Sequence, residues 1–128
     1  MGEKMPFRPR TSGTSGILEK LNSLPDEIQH FTALTYLLIC DSNGMKALPE
    51  WLGNLSSLQT LVLNSNENLM EMPTVQAMQR LTKLIQLYIN GCPELKERCA
   101  KEKGTEWSKI AHIPDIRIDG EAIKEEAF

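Results

Sequence analysis

Apolar residues recur along this chain in one fixed order. The step L-x-x-L-x-L appears three times, as Leu34, Leu37, Ile39, then Leu58, Leu61, Leu63, then Leu84, Leu87, Ile89. A further apolar residue follows each step at nearly the same offset (Met45, Leu69, Leu95), and Leu48-Pro49 and Met72-Pro73 come next. The starting leucines lie 24 and 26 residues apart. An earlier partial copy, Leu21, Leu24-Pro25, Ile28, Phe31 and Leu34, matches Met45, Leu48-Pro49, Leu52, Leu55 and Leu58. The last two apolar residues of each step are two apart, so both point to one side of a short strand. One such strand buries little alone. Stacked in parallel on its copies, it closes a continuous leucine column.

This motif at a period of roughly 20–29 residues is that of leucine-rich repeats. The predicted fold is therefore α/β: a leucine-rich-repeat solenoid, a short right-handed arc with parallel strands on its concave face and a carboxy-terminal cap. Repeats are expected over residues 17–95, entered in mid-repeat near Ile17. Ser42, Asn66 and Cys92 stand where a side chain turns inward to bond neighbouring backbone, and of these only Asn66 brings an amide. The Leu-Pro steps carry the chain round the convex side, with helical turns expected at Trp51-Leu52 and from Met78 to Leu81.

The ends break the pattern. Residues 1–16, with TSGTSG at 11–16, are polar and Gly/Ser-rich and read as a flexible arm or linker. Pro93 and the pairs Glu94–Arg98 and Glu97–Lys101 predict a short helix. Gly104 ends it, Thr105 and Trp107 open another turn, and Ile116-Arg117-Ile118 alternates like a last strand. Residues 96–120 are thus expected to cap the stack, and 121–128 to form an acidic tail. At the other end the leucine edge near Leu18–Leu34 lacks an obvious cap; it is expected to be covered by residues 1–16, by another molecule or not at all, and self-association through it is an expectation.

Charge and chemistry narrow the function. The net charge of −3 lacks the clustered Lys and Arg that neutralise phosphates, so no nucleic-acid partner is expected. No apolar run approaches the roughly 18–20 residues that cross a bilayer, and MGEKMPFRPR has no secretory core. Pro6 stands where a myristoylation signal wants Ser or Thr. No membrane partner and a cytoplasmic location follow, with Cys40, Cys92 and Cys99 as reduced thiols. Cys92 and Cys99 are seven apart across a proline with only His112 nearby, which is no zinc spacing. His30 and His112 read as structural or surface residues. Ser56, Ser57 and Thr105 have no partnered His and Asp. No catalytic residue, metal or cofactor is assigned, and the chain is not expected to be an enzyme.

The segment GCPELKERCAKEKGTEWSKIAHIPDIRIDG, residues 91–120, resembles the closing segment of plant nucleotide-binding leucine-rich-repeat disease-resistance proteins of the coiled-coil class. LPEWLGNLSSLQTLVL, residues 48–63, is similar to their repeats. The resemblance spans about Ile17 to Gly120. It implies a recognition module that binds a pathogen effector or a host protein and holds a nucleotide switch inactive. The switch itself is not implied for this chain, which has no GxxxxGK[ST] phosphate loop. The implied partners are an effector, a host protein, or the ATPase module of a full-length receptor. A stand-alone repeat adaptor or inhibitor is the alternative.

The binding residues would be the strand positions between the leucines, which face outward in three rows. These are Tyr36, Thr60 and Gln86; Leu38, Val62 and Tyr88; and Cys40, Asn64 and Asn90. The middle row is apolar at positions expected to be exposed, and such patches on solenoids mark partner sites.

Overall fold

A computed structural model describes residues 10–125 of the chain. They form one seven-stranded sheet whose strands lie side by side in chain order. The strands are β1 (Arg10–Ser12), β2 (Ser15–Glu19), β3 (Tyr36–Cys40), β4 (Thr60–Asn64), β5 (Gln86–Asn90), β6 (Asp115–Ile118) and β7 (Glu121–Glu125). From β2 to β6 every pairing is parallel. This is an α/β fold built on a mostly parallel sheet. Between strands the chain runs through short turns: 3₁₀ turns at Asp26–His30 and Glu50–Asn54, then helices α1 (Val75–Arg80), α2 (Pro93–Arg98) and α3 (Trp107–Ile110).

The apolar period explains the packing. Leu37, Leu61, Leu87 and Ile116 align strand to strand, as do Leu18, Ile39, Leu63, Ile89 and Ile118. All of them are buried. Ile28, Leu52, Met78 and Ile110 reach the same cluster from the turns, so the turns cover one face of the sheet. Each fully buried side chain of this size contributes roughly 1.5–3 kcal/mol relative to exposure. Trp51 and Trp107 pack against the rim of this core. Each turn also closes the same way: the N–H of Phe31, Leu55 and Leu81 donates to the carbonyl of Ile28, Leu52 and Met78 respectively.

Side chains and backbone link the coils at two corners. At the first, Ser42, Asn66 and Cys92 point inward and are buried. The Leu21 N–H donates to Ser42 Oγ (3.0 Å), the Ser42 N–H to Asn66 Oδ1 (3.0 Å), and the Asn66 N–H to Cys92 Sγ (3.4 Å). In return Asn66 Nδ2 donates to the Ile39 carbonyl and Cys92 Sγ to the equivalent Leu63 carbonyl. Ser42 is too short to follow; its hydroxyl turns back to the Cys40 carbonyl in its own coil. At the second corner the residue after each strand, Lys20, Asp41, Ser65 or Gly91, has positive φ. The Lys20, Asp41 and Ser65 N–H groups donate to the last carbonyl of the next strand.

After β5 that supply of backbone acceptors changes character. The Gly91 N–H donates to the Asp119 side chain at Oδ1 (2.9 Å) instead of to a strand carbonyl. On the side of the turns the Leu48 N–H donates to the Glu71 carbonyl, but the equivalent Met72 N–H donates to Glu106 Oε1 (2.8 Å). Lys109 Nζ completes this pair, reaching Glu106 Oε1 (2.9 Å) and the Met72 carbonyl (3.4 Å). Glu106 is buried, and its ion pair with Lys109 supplies the charge balance that a buried carboxylate requires. Two carboxylates of the segment after β5 thus stand in for the backbone carbonyls that serve earlier in the stack.

Several expectations change here. Residues 10–16 are not a loose arm: β1 and β2 form an antiparallel hairpin in which Ser12 pairs with Ser15. Its turn begins at Gly13 with φ 61°, the first central position where a two-residue hairpin favours glycine. Residues 1–9 of that arm and 126–128 of the tail lie outside the described residues. The repeat register starts at Ser15 rather than Ile17, and was hidden because Gly16 takes the place of a leucine. At the leucine edge Leu18 is 2% exposed and Leu34 is 4%. At that end Phe31 remains exposed. The acidic tail is a strand from 121 to 125, because Asp119 and Gly120, both at positive φ, turn β6 back into β7.

Two outcomes test this account. Asn66→Ala orphans the Ser42 N–H and the Ile39 carbonyl, and should cost about 2–4 kcal/mol in urea unfolding. An equal cost for Ser42→Ala, whose hydroxyl makes weaker use of the corner, would contradict it. Glu106→Ala should speed hydrogen exchange at the Met72 amide selectively and cost about 1–3 kcal/mol.

Candidate functional site

The register of the sheet brings the three outward rows together. Tyr36, Thr60 and Gln86 are successive partners, as are Leu38, Val62 and Tyr88, and Cys40, Asn64 and Asn90. Each row is longer than the sequence pattern revealed. Ser15 and Asp115 extend the first, Ile17 and Arg117 the second, and Glu19 the third. Ile17 was masked by the glycine in its strand. Arg117 was legible only as the middle of an alternating triplet.

The middle row is less exposed than its position suggests. Val62 is only 7% exposed, and Ile17, Leu38 and Tyr88 are half-buried. Parallel strands lie about 4.8 Å apart, so side chains in one row shield each other. Val62 nonetheless stands apart from the leucine core on the other face. In the first row Tyr36 is 36% exposed, and Thr60 Oγ1 donates to Gln86 Oε1 at 2.7 Å. In the third row Asn64 Oδ1 is buried without a hydrogen-bond partner among the described residues.

Charge gathers at the two ends of the rows. Beside β6 the Tyr88 hydroxyl donates to Asp115 Oδ2 (3.4 Å), and Arg117 bridges Asp115 Oδ1 (3.2 Å) and Glu125 Oε2 (2.6 Å). Burial, then Asp115, raises the Tyr88 pKa, and Asp115 foremost holds the Arg117 guanidinium firmly charged. At the other end Glu19, Cys40 and Asp41 bring one ligand atom each within 4.8 Å of one another. Three such atoms at a surface do not complete the tetrahedral set of a structural zinc site. Asp119 is held below the ordinary carboxylate range by the Gly91 N–H and then by Lys96, 3.0 Å from its Oδ2.

Outside the face, Cys92 is committed to backbone and Cys99 is fully buried. Burial, with Glu106 next, pushes the Cys99 thiol up to about 12. Burial lowers the His112 pKa. An open cavity of about 330 Å³ lies by Glu94, Glu97, Arg98, Lys103, Gly104 and Thr105 on the carboxy-terminal segment.

Over a short stretch, the chain resembles a plant disease-resistance protein. Thirty-two residues, 25% of the chain, are 56% identical to the putative disease resistance protein RGA4 of Solanum bulbocastanum. The match spans 3% of that protein's length. No family model matches the chain, and no solved structure matches it. Among the described residues, no helix is long and apolar enough to cross a membrane.

The thiol chemistry makes a direct prediction. Cys99 should resist iodoacetamide at pH 8 in the folded protein and react fully in urea. Its folded pKa lies above the unfolded value of 9.0. Between pH 9 and about 12 the unfolded chain therefore binds fewer protons than the folded one, and stability should fall as pH rises. Cys99→Ala should flatten that part of the pH–stability curve.

Proposed function

We propose that this chain is a leucine-rich-repeat recognition module of a plant immune receptor, which binds a protein through its outward strand rows. The fold supports the first half. Strands stack in chain order at a repeat of 24 and 26 residues, with an inward Ser/Asn/Cys corner and turns on one face only. These features support reading the fold as a leucine-rich-repeat solenoid with its strands on the concave side. Residues 15–95 make the repeats and the segment through Glu125 caps them. The similarity to the disease-resistance protein supports the second half.

One observation carries the binding role. Ile17, Leu38, Val62 and Tyr88 form an unbroken apolar line on the sheet face away from the core. Aromatic and apolar side chains at the centre of a polar rim are the anatomy of an interface. Tyr36, Cys40, Thr60, Asn64, Gln86 and Asn90 supply that rim. In this reading the bound protein is a pathogen effector, a host protein or the receptor's own ATPase module, in the cytoplasm. The nucleotide switch it regulates belongs to another part of the receptor, and this module performs no catalysis.

Two measurements test the reading. The transcript upstream of Met1 should continue in frame into a module with a GxxxxGK[ST] loop; an in-frame stop close upstream would instead favour a stand-alone adaptor. With Leu38, Val62 and Tyr88 changed together to Glu, the protein that crosslinks to an azide-bearing side chain at Tyr36 should no longer be captured, while circular dichroism stays unchanged. Undiminished crosslinking in the triple variant would sink the role of the concave rows.

A further inference from the structure

We infer that Asn43 is a site of spontaneous covalent modification, at which water converts the amide to a carboxylate through a succinimide. The Asn-Gly step occurs twice in the chain, at Asn43–Gly44 and Asn90–Gly91. The fold presents the first for this reaction and protects the second through Asp119. The inference stands apart from the reading of the outward face as a binding surface.

The reaction is intramolecular. The backbone nitrogen after an asparagine attacks the side-chain carbon Cγ, forming an N–Cγ bond and closing a ring. The Cγ–Nδ2 bond breaks, and the amide nitrogen leaves as ammonia, carrying the proton given up by the attacking N–H. Water then opens the ring at either carbonyl, which yields aspartate or isoaspartate. No oxidant or cofactor enters. A following glycine favours the attack because it has no Cβ to crowd the ring or restrict the backbone.

At Asn43 the surroundings favour each step. Ser42 to Met45 form a turn closed by the Met45 N–H on the Ser42 carbonyl, with Asn43 and Gly44 exposed at its centre. Among the described residues the Gly44 N–H meets no acceptor, so its proton is open to solvent. The Glu67 N–H donates to Asn43 Oδ1 (3.2 Å). As the Gly44 nitrogen adds to Cγ, that oxygen gathers negative charge, and a donor already stands beside it. The Asn43 backbone carbonyl accepts from Asn68 Nδ2 (2.7 Å). That bond polarises the Asn43–Gly44 peptide and eases loss of its proton. Packing also favours glycine at 44, where a Cβ would run into the Asn22 side chain.

Asn90–Gly91 has the same two residues in the opposite setting. Asn90 is half-buried at the end of β5, paired with Asn64 on β4. The Gly91 N–H is held by Asp119 Oδ1 at 2.9 Å. Loss of that proton would leave a negative nitrogen facing a carboxylate, and like charges disfavour it. Asp119 precedes Gly120 and could enter the same ring by losing water instead of ammonia. Its carboxyl is held in the charged form by the Gly91 N–H and then Lys96, and a carboxylate resists a nucleophile. The fold therefore leaves one reactive step where the sequence offers several.

The test follows both asparagines in the full chain, kept folded in mildly alkaline buffer made with heavy-oxygen water and read by peptide mass spectrometry. Asn43 should exchange its amide for solvent oxygen at least about tenfold faster than Asn90. In urea, with the fold gone, the two steps should react at nearly equal rates. Asp119→Gly keeps a residue at ease with the positive φ at that position and frees the Gly91 N–H. It should speed exchange at Asn90 severalfold and leave Asn43 unchanged. Equal rates in the folded chain, or a faster Asn90, overturn the inference. A difference that persists in urea overturns it too, because the selectivity would then belong to the sequence and not to the fold. An Asn90 rate indifferent to Asp119→Gly overturns the protection assigned to Asp119.

Discussion

From β2 to β5, each coil exposes backbone N–H groups at its corners that the next coil satisfies. A buried N–H without an acceptor costs on the order of a hydrogen bond's full desolvation, about 1–3 kcal/mol. The stack is therefore held by a bonding demand passed along the chain, with the leucine column filling the space between. Asn66 shows the demand most clearly, since one amide accepts from Ser42 and donates to Ile39 in the same neighbouring coil. Cys92 performs the same two tasks with longer bonds, at 3.4 and 3.6 Å. Thiols are weaker donors and acceptors than amides.

The same demand sets the outward face of the sheet. Because the corners fix the register between strands, the side chains between the leucines fall into straight rows with no slip from β2 to β5. A one-residue slip would send the leucines outward and the row residues inward. Corner chemistry at the strand ends thus determines which side chains line the outward face. The Tyr88–Asp115–Arg117 group ends the apolar line with fixed polarity because β6 keeps the register for four residues before turning back.

Much of this was legible in the residues, for physical reasons that also explain the rest. The period of the leucines is a direct record of which side chains are buried, so β3, β4 and β5 and their rows could be placed from it. The inward positions of Ser42, Asn66 and Cys92 followed from their offset within the repeat. Strand β2 was harder to see because Gly16 removes one of its two apolar marks. The β1–β2 turn was hidden in a run of Gly, Ser and Thr that has the composition of a linker. At the other end, Asp119-Gly120 is among the strongest short hairpin signals in a sequence, yet the acids that follow it look like a solvated tail. Glu106 left no trace at all. Its task depends on meeting Met72, 34 residues away, and no local pattern encodes that. The degree of shielding at Val62 was equally invisible, since it arises from neighbours on adjacent strands.

Glu106 and Asp119 make the join after β5 depend on side chains where the equivalent earlier joins use backbone. A backbone carbonyl is present whatever residue carries it, so those earlier joins tolerate substitution at the acceptor. The Met72 and Gly91 N–H groups instead each need a carboxylate at one particular position. A substitution at Glu106 or Asp119 therefore breaks a joint that the same substitution elsewhere along the stack would leave whole.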